Sequence, residues 1–430
     1  MHSDHIHKWL RALLAAVLIA ALTVPGSAAF AKTSAVKQAD KSAASSAAKV
    51  TASASEQAAK KATRSAEKPE KKGNETNGAT AKKTKKTARA TIMLTGDLMC
   101  HPGQQQAAYD GESFDFTPTF RYVKQIFDQA DLVVGNLETL ISKSNPLSKD
   151  INYLQTRPYL NAPESFLDAL EYAGYDVLVT ANNHACDGGE TGLLETLDAL
   201  DAHGFAHTGT FRGKKEKRYV LAEAGDIKVG ILSYATYFNK KETFLSDKKQ
   251  EYMLNRPSEK RLKADVKALR KAGAEYIIAY NHCGKEYSHE PAARQKRYAR
   301  MFAEAGVDHI ISSHPHVLQP YGTIKSDGRA YPVMYSMGNF VSGMSDHATK
   351  ETIILSLTLQ RDRDGKVSLF KQKYYPCYLL DFDYQSENAF VLLPQDSRYN
   401  GNFQKNAPAA LVKEIRTHFQ HIRKIVGKLD

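Results

Sequence analysis

Five short polar motifs in this chain each follow directly after an apolar run that is typical of a buried β-strand. The runs cover residues 90–95, 131–134, 175–180, 276–280 and 307–311. Helical patterns lie between them, so the alternation predicts an α/β fold, and the turn signal Asp364-Gly365 predicts a late hairpin in a mixed sheet. Because ligands bind at the carboxyl ends of strands in open α/β sheets, five polar motifs at strand ends predict a single site.

The spacing of apolar residues and of helix caps predicts further elements. Helices are expected over about 163–173, around 193–200 with a stop at Gly204, from Ser258 to Gly273, over about 291–305 with Tyr298, Met301 and Phe302 facing inward, and over 408–426. Strands are expected over 227–234, 333–336, 352–359 and 367–375.

The five motifs contain side chains of the kinds that bind transition metals. Two carboxylates, one amide and three imidazoles follow the strands: Asp97, Glu138, Asn183, His282, His314 and His316. Such a mixture suits a pair of Mn, Fe or Zn ions better than Ca or Mg. Two metals close together can activate a water and stabilise a phosphoryl transition state.

Taken one at a time, these motifs have ordinary structural explanations. An aspartate after a strand is usually a turn former, and a His-Pro-His segment is more often a solvated loop than a pair of ligands. Their shared position at strand ends favours one common site. We therefore expect all six side chains to lie in one cleft.

His184 directly follows Asn183, so its side chain can project toward a substrate if Asn183 binds metal. An imidazole whose pKa lies near neutrality can donate a proton to a leaving oxygen. His184 is therefore predicted to be the catalytic general acid. The alternative is that His184 only hydrogen-bonds within its own loop, to Asp187.

Residues 1–31 have the pattern of an export signal. Lys8 and Arg11 precede an apolar run over residues 12–24, and Ala29-Phe30-Ala31 fits a cleavage site. The run is shorter than the roughly 20 residues of a spanning helix, which favours cleavage over a retained membrane anchor. The protein is thus expected to be exported and extracellular or attached to the bacterial envelope. Membrane association through the N-terminus is the alternative.

Residues 32–89 are expected to form a disordered basic linker, and residues 90–430 a folded domain. The segment 32–90 has 15 lysines and arginines against 5 acids, a net charge of +10, and residues 1–31 add +1, which leaves +1 of the total +12 for residues 91–430. The linker has too few apolar residues to form a core. The near-neutral domain argues against nucleic-acid binding, while the linker could contact an anionic envelope polymer.

The chain has four cysteines, and three of them lie close to the motifs. Cys100, Cys186 and Cys283 are within three residues of a motif residue, and Cys377 lies apart. Small side chains that pack behind the site are the favoured interpretation. Soft metal ligands or a disulfide bond remain as alternatives.

The order of six motifs resembles the CapA family. The matching segments are 96–97, 135–139, 182–187, 282–287, 314–317 and 335–340, within about residues 90–345. CapA proteins are bacterial capsule proteins linked to poly-γ-glutamate synthesis, with a calcineurin-like metallophosphatase fold. The resemblance implies a four-layer α/β/β/α sandwich, the six metal ligands named above, and His184 as the acid or a phosphate contact. It also implies three substrate-binding residues: Asn182, Glu286 and Asn339.

The chain departs from the wider superfamily at three positions. The Asp-x-His that opens most calcineurin-like phosphatases is absent, because Leu98-Met99 follow Asp97, and His101 is the candidate substitute. Glu138 stands where most phosphatases have a bridging aspartate. Cys283 stands where the family often has tryptophan.

Three functions are compatible with these observations. The first is an exported protein of capsule or poly-γ-glutamate synthesis or export, with a dinuclear metal site for hydrolase or transferase chemistry. The second is a non-catalytic scaffold subunit of a polymer synthesis or export complex. The third is a cell-wall binding module, suggested by the basic linker alone. The expected partner is an anionic envelope polymer or its synthesis complex.

Overall fold

The computed structural model describes residues 86–151, 159–381 and 390–429. The predicted export signal and nearly all of the predicted linker lie outside these residues. The first strand begins at Ala88, two residues before the predicted domain start at residue 90, and the predicted domain boundary itself stays a prediction. Within the described residues, no helix is both long enough and apolar enough to cross a membrane.

The strands occur in the following chain order: β1 (Ala88–Leu98), β2 (Leu132–Leu137), β3 (Leu140–Ile141), β4 (Asn161–Ala162), β5 (Val177–Val179), β6 (Ala206–Thr208), β7 (Val220–Ala224), β8 (Ile227–Ala235), β9 (Tyr276–His282), β10 (His309–Ser313), β11 (Tyr321–Ser326), β12 (Arg329–Met334), β13 (Asn339–Val341), β14 (Glu351–Arg361), β15 (Val367–Leu380) and β16 (Val391–Pro394).

The α-helices occur in the following chain order: α1 (Pro102–Ala108), α2 (Thr117–Phe120), α3 (Lys124–Phe127), α4 (Ser165–Ala173), α5 (Gly189–Ala202), α6 (Asp247–Met253), α7 (Glu259–Ala272), α8 (Ala293–Glu304), α9 (Phe403–Asn406) and α10 (Ala409–Val426). Short 3₁₀ turns cover Ser148–Asp150, Lys241–Phe244 and His347–Lys350.

Two large sheets form the centre of the folded region. The first has eight strands in the order β16-β15-β14-β1-β2-β5-β6, with β13 paired to the end of β1. The second has six strands in the order β11-β12-β10-β9-β8-β7. Strands β1, β2, β5 and β6 run parallel, whereas β14 and β15 form the antiparallel hairpin predicted from Asp364-Gly365. Both the α/β class and the mixed sheet are confirmed.

Alternation of side chains along β1 shows how the layers form. Ile92 and Leu94 are buried among residues of the second sheet, such as Ile231, while Met93 on the opposite face packs toward helices α2 to α5. The far face of the second sheet packs against α7 and α8 through Leu262 and other apolar residues. The layers are therefore helix, sheet, sheet and helix, in the order that the resemblance implied.

The helix predictions hold in outline and differ in detail. Ser258 caps α7 by accepting a hydrogen bond from the Arg261 backbone N–H at 3.3 Å, and Gly273 ends the helix in the left-handed region at φ 102°. In α8, Phe302 is buried as predicted, but Tyr298 and Met301 are only half-buried. Alanines 299 and 303 take their place in the core, because they allow the helix to approach the sheet closely.

All four cysteines are free and buried. Burial raises the pKa of the Cys186 and Cys283 thiols to about 12, and it raises the pKa of Cys100 and Cys377 as well. Buried thiols with raised pKa values behave as small apolar groups, which supports the favoured interpretation; a role as soft metal ligands stays an alternative.

Candidate metal centre

The predicted site residues lie close together at the carboxyl ends of strands from both sheets. Asp97 lies near the end of β1, in register with Asn136 of β2 and Asn339 of β13. His282 is the last residue of β9 and pairs in register with Ser313, the last residue of β10. Because the carboxyl ends of these parallel strands share an edge, residues distant in sequence become neighbours.

One group of ligand atoms consists of two carboxylates and an imidazole. Asp97, Glu138 and His282 each offer one ligand atom, and these atoms lie within 4.8 Å of one another. His282 Nε2 lies 3.4 Å from a carboxylate oxygen of Glu138 and 2.6 Å from Oδ1 of Asn183. Asn183 thus brings a fourth potential ligand atom, an amide oxygen, to this group, as predicted from its position after β5.

A second group of ligand atoms adjoins the first. Glu286, His314 and His316 also place one ligand atom each within 4.8 Å of one another. The ring centroids of His282 and His314 are 4.9 Å apart, so the two groups share a border. The structure therefore brings all six predicted ligands close together. It adds Glu286, which the sequence had suggested as a substrate contact, to the second group.

The environment of the Glu138 carboxylate indicates whether a cation fits this group of residues. Its side chain is fully buried, and neither carboxylate oxygen receives a hydrogen bond from the described residues. Burial, reinforced by the nearby Asp97 carboxylate, raises the pKa of Glu138 well above its ordinary value. A buried carboxylate without a donor is costly unless a positive charge compensates it, so this position fits a divalent metal.

Two imidazoles of the site, His282 and His314, have lowered pKa values, which favour the neutral form that binds metal. Burial lowers the pKa of His282 to about 4 and lowers the pKa of His314 well below its ordinary value, so both rings are neutral. Nδ1 of His314 is buried without a hydrogen-bond partner in the described part of the chain. Neutral imidazoles with free lone pairs are the form that metals require.

Asn339 orients His316 toward the centre. Its Oδ1 lies 2.9 Å from His316 Nδ1, and its Nδ2 donates to Ser342 Oγ at 3.0 Å. The second contact fixes the amide so that its oxygen accepts the Nδ1 proton, which leaves His316 Nε2 for a metal. The predicted role of Asn339 as a substrate contact remains a prediction, since the observed contacts engage both ends of its amide.

The side chains of two asparagines near the first group hydrogen-bond to residues of the site. Asn136 donates from Nδ2 to Asp97 Oδ1 at 2.7 Å. Asn182 donates to the Leu137 carbonyl at 2.7 Å, and its Oδ1 accepts from the His184 backbone N–H at 3.1 Å. The substrate role of Asn182 remains a prediction. Asn136 belongs to the second motif, and its hydrogen bond to Asp97 indicates that it positions that carboxylate.

His184 is held by the buried carboxylate of Asp187, the partner named in the alternative interpretation of this histidine. Its Nδ1 lies 2.6 Å from Asp187 Oδ2, and Lys241 Nζ lies 3.1 Å from the other oxygen of Asp187. Burial acts most strongly on the pKa of His184 and lowers it, but Asp187 and Glu138 together produce a net rise. An Nδ1–H donated to Asp187 leaves Nε2 for a substrate.

His101 lies beside the centre but belongs to neither group of ligand atoms. Its Nδ1 accepts a hydrogen bond from the Gly343 backbone N–H at 3.1 Å. Burial lowers the pKa of His101 to about 3, with smaller contributions from His184 and His316. A neutral ring that accepts this hydrogen bond at Nδ1 carries its proton on Nε2, so the contact favours His101 as a hydrogen-bond donor over the metal ligand that the missing Asp-x-His suggests.

The backbone is strained at His314 and His316, the two histidines that follow β10. His314 has a φ of 97° and His316 a φ of 61°, which are rare for residues other than glycine. The His314 backbone N–H donates to Asp97 Oδ2 at 3.3 Å, which ties this turn to the first sheet. Strained backbone of this kind is concentrated at functional sites, where the surrounding contacts maintain it.

Replacing Gly96 with alanine should destabilise the protein and disturb the centre. A Cβ at Gly96 would lie 1.9 Å from the Gly338 carbonyl oxygen and 2.9 Å from Met337 Cβ, so β1 and β13 could not pair as they do. We expect a loss of roughly 3 kcal/mol in the free energy of unfolding, measured by urea denaturation. Gly213→Ala is the matched control, because no atom lies within 4 Å of its Cβ position. Equal stability of the two variants would contradict this prediction.

Fold and site together define an α/β protein with two adjoining groups of metal-binding side chains where two sheets meet. The chain belongs to the family described as bacterial capsule synthesis protein PGA_cap, whose model matches residues 91–344. This confirms the resemblance and its predicted extent.

Curated relatives agree with this membership. The chain is 28% identical over 278 residues to "Capsule biosynthesis protein CapA" of Bacillus anthracis, covering 63% of this chain and 64% of that protein. It is 28% identical over 258 residues to "PGA biosynthesis protein CapA" of Bacillus subtilis (strain 168), covering 57% and 62%. The match therefore spans less than two thirds of either relative.

Among solved structures, the chain is similar to calcineurin-like phosphoesterase YfkN from Bacillus subtilis. The sequence identity is 18%, the TM-score is 0.43, and the match covers 79% of this chain and 100% of the other. Similarity at this TM-score supports no inference about the activity of this chain.

Proposed function

We propose that this protein is an exported, metal-dependent hydrolase that acts on a phosphoester or an amide-linked polymer in capsule or poly-γ-glutamate synthesis. The observation that carries the proposal is the pair of adjoining ligand groups around the buried Glu138, whose carboxylate receives no hydrogen bond from the described residues. Membership of the capsule synthesis family supplies the biological context. Export rests on the pattern of residues 1–31.

The ligand chemistry favours two ions of Mn, Fe or Zn. Asp97, Glu138, Asn183 and His282 would hold one ion, and Glu286, His314 and His316 the other. Oxygen and imidazole ligands in these proportions are typical of such metals. When bound, a metal pair supplies an activated water and stabilises negative charge on the reacting group.

The remaining side chains have separate tasks in this proposal. His184, with Nδ1 held by Asp187, donates a proton from Nε2 to the leaving oxygen. His101, with Nδ1 engaged by Gly343, donates a hydrogen bond from Nε2 to an oxygen that gains charge. Both tasks use the nitrogen that the observed hydrogen bonds leave available.

Two exposed tyrosines flank the site and are suited to contact a large substrate. Tyr237 packs edge-on against His314 at 6.4 Å between ring centroids, and Tyr287 lies 6.0 Å from His316. Their exposed fractions are 41% and 60%. Exposed aromatic rings with polar tips beside a catalytic group suit the binding of a polymer that lies across the surface.

Chelation of metal should abolish hydrolysis by the purified full-length protein. We expect turnover of p-nitrophenyl phosphate or its diester to be lost after EDTA treatment and restored by Mn²⁺ or Zn²⁺, with metal content measured by mass spectrometry. Activity that is unaffected by chelation, or no activity with any metal, would contradict the hydrolase proposal.

A scaffold role in a polymer synthesis or export complex is the second candidate function. It is favoured by the absent Asp-x-His, because His101, the candidate replacement ligand, has its Nδ1 engaged by the Gly343 backbone N–H. Complementation of a deletion strain with His314→Ala separates the two functions. Normal polymer production by this variant would favour the scaffold, whereas loss of polymer with normal protein level would favour catalysis.

A further inference from the structure

A second cluster of histidines lies at the C-terminal helix and contains none of the residues of the metal centre. His347 lies in the 3₁₀ turn before β14, while Glu414 and His418 are one turn apart on α10. Each offers one ligand atom, and these atoms lie within 4.8 Å of one another. Side chains four residues apart lie on the same face of a helix, so Glu414 and His418 can reach one ion together.

Hydrogen bonds fix both imidazoles of this cluster through their Nδ1 atoms. His418 Nδ1 lies 2.8 Å from Glu351 Oε1, and His347 Nδ1 lies 2.7 Å from the Tyr378 hydroxyl oxygen. Both contacts can accept an Nδ1 proton, which leaves Nε2 of each ring as the available lone pair. The two rings are nearly parallel, with an angle of 15° and centroids 5.2 Å apart.

Glu351 is the feature that distinguishes this cluster from a chance group of surface residues. The residue is only 1% exposed, and its second oxygen lies 2.7 Å from His421 Nδ1. A buried carboxylate that holds the Nδ1–H of an imidazole fixes the tautomer and the ring orientation for metal binding at Nε2. The same carboxylate–histidine arrangement supports the ligands of zinc sites.

We propose that His347, Glu414 and His418 bind a zinc ion, separate from the metals of the catalytic centre. Two imidazole nitrogens and one carboxylate oxygen are a ligand set that zinc accepts, with water as the fourth ligand. Tetrahedral zinc with these bond lengths requires ligand atoms about 3.3 Å apart. Glu414 is exposed and has a long side chain without a fixed partner in this cluster, so its carboxylate can adjust to that spacing.

The position of the zinc site gives it a structural consequence. Helix α10 already packs on the core through Ile415, Phe419 and Ile422, and zinc would add a link from its polar side to the segment 347–350. The Thr349 carbonyl in that segment accepts from Asn339 Nδ2 at 3.4 Å, and Asn339 orients His316. Zinc would thus stabilise the segment 347–350, which contacts Asn339, without contacting the catalytic centre itself.

Zinc stoichiometry of the metal-stripped full-length protein tests this proposal. The variants Glu414→Gln and His347→Gln remove a ligand from exposed positions, so the fold should be preserved. We expect each to bind one zinc fewer per chain than wild type, or to bind it at least ~10-fold more weakly, by competition with a chromogenic chelator. Both variants should also show a smaller zinc-induced rise in Tm.

Two controls separate ligand loss from other effects. His421→Gln removes the second imidazole at Glu351 but no member of the ligand group, and Glu304→Gln makes the same chemical change on the surface of α8. Both controls should retain wild-type zinc binding. Unchanged stoichiometry and affinity in Glu414→Gln and His347→Gln would overturn the proposal, whatever the hydrolase assay shows.

Discussion

His184→Ala should lose turnover by a factor on the order of 10²–10⁴ while it keeps its metals and its fold, because a positioned general acid contributes about that much to rate. The side chain is buried at 6% exposure, and its Nδ1 is fixed by Asp187 at 2.6 Å. After its removal, Asp187 still accepts a hydrogen bond from the Leu160 backbone N–H at 2.7 Å and stays beside Lys241. The buried Asp187 carboxylate therefore keeps a hydrogen-bond donor and a positive charge beside it.

The measurement compares kcat on an activated phosphoester, metal content and Tm for this variant and for His207→Ala. His207 also pairs with an aspartate, Asp201, at 2.9 Å, so its replacement removes a comparable contact away from the centre. Near-normal turnover in His184→Ala would show that the residue only supports its loop. Loss of metal would instead make His184 a ligand or the partner of one.

Glu138→Gln should weaken metal binding by about 10²-fold or more and abolish turnover, while the metal-free protein becomes more stable. The carboxylate is fully buried beside Asp97 and receives no hydrogen bond from the described residues. In the metal-free state this charge opposes folding, and glutamine removes it at nearly constant volume. Opposite effects on metal affinity and on metal-free stability are expected where a charge is retained for function.

Isothermal titration with Mn²⁺ and thermal unfolding with and without EDTA measure these two effects. Asp265→Asn is the matched control, since Asp265 is a buried acid outside the centre that accepts from the Tyr234 hydroxyl at 2.7 Å. The control should keep its metal affinity and gain no stability. A Glu138→Gln variant that binds metal like wild type would remove Glu138 from the proposed ligands.

Local pattern was a reliable guide to the elements that bury a periodic apolar face. The strands of the five motifs and the helices around residues 163–173, 258–273 and 408–426 were predicted near their observed positions. Short elements such as β3, β4 and β13 were not predicted, because two or three residues give no measurable period. Their strand pairing comes from neighbours distant in sequence, which no local window contains.

The contacts of single polar residues were harder to predict than their proximity. Glu286 lies with His314 and His316 in the second ligand group, and its predicted contact with substrate stays a prediction. His101 was the candidate for a missing ligand, and the Gly343 backbone N–H engages its Nδ1. Both contacts depend on which nitrogen or oxygen a distant residue occupies, and sequence spacing carries no information about that.

Sequence pattern was enough to predict the α/β class, the family and the set of residues at the strand ends, because periodic burial and the rule for parallel sheets act on local pattern. The division of that set into two candidate ligand groups, the asparagine that orients His316 and the second histidine cluster around Glu351 became visible in the folded protein alone. Hydrogen-bond direction and ligand spacing depend on contacts across the two sheets and the C-terminal helix, and those contacts exist only once the chain has folded.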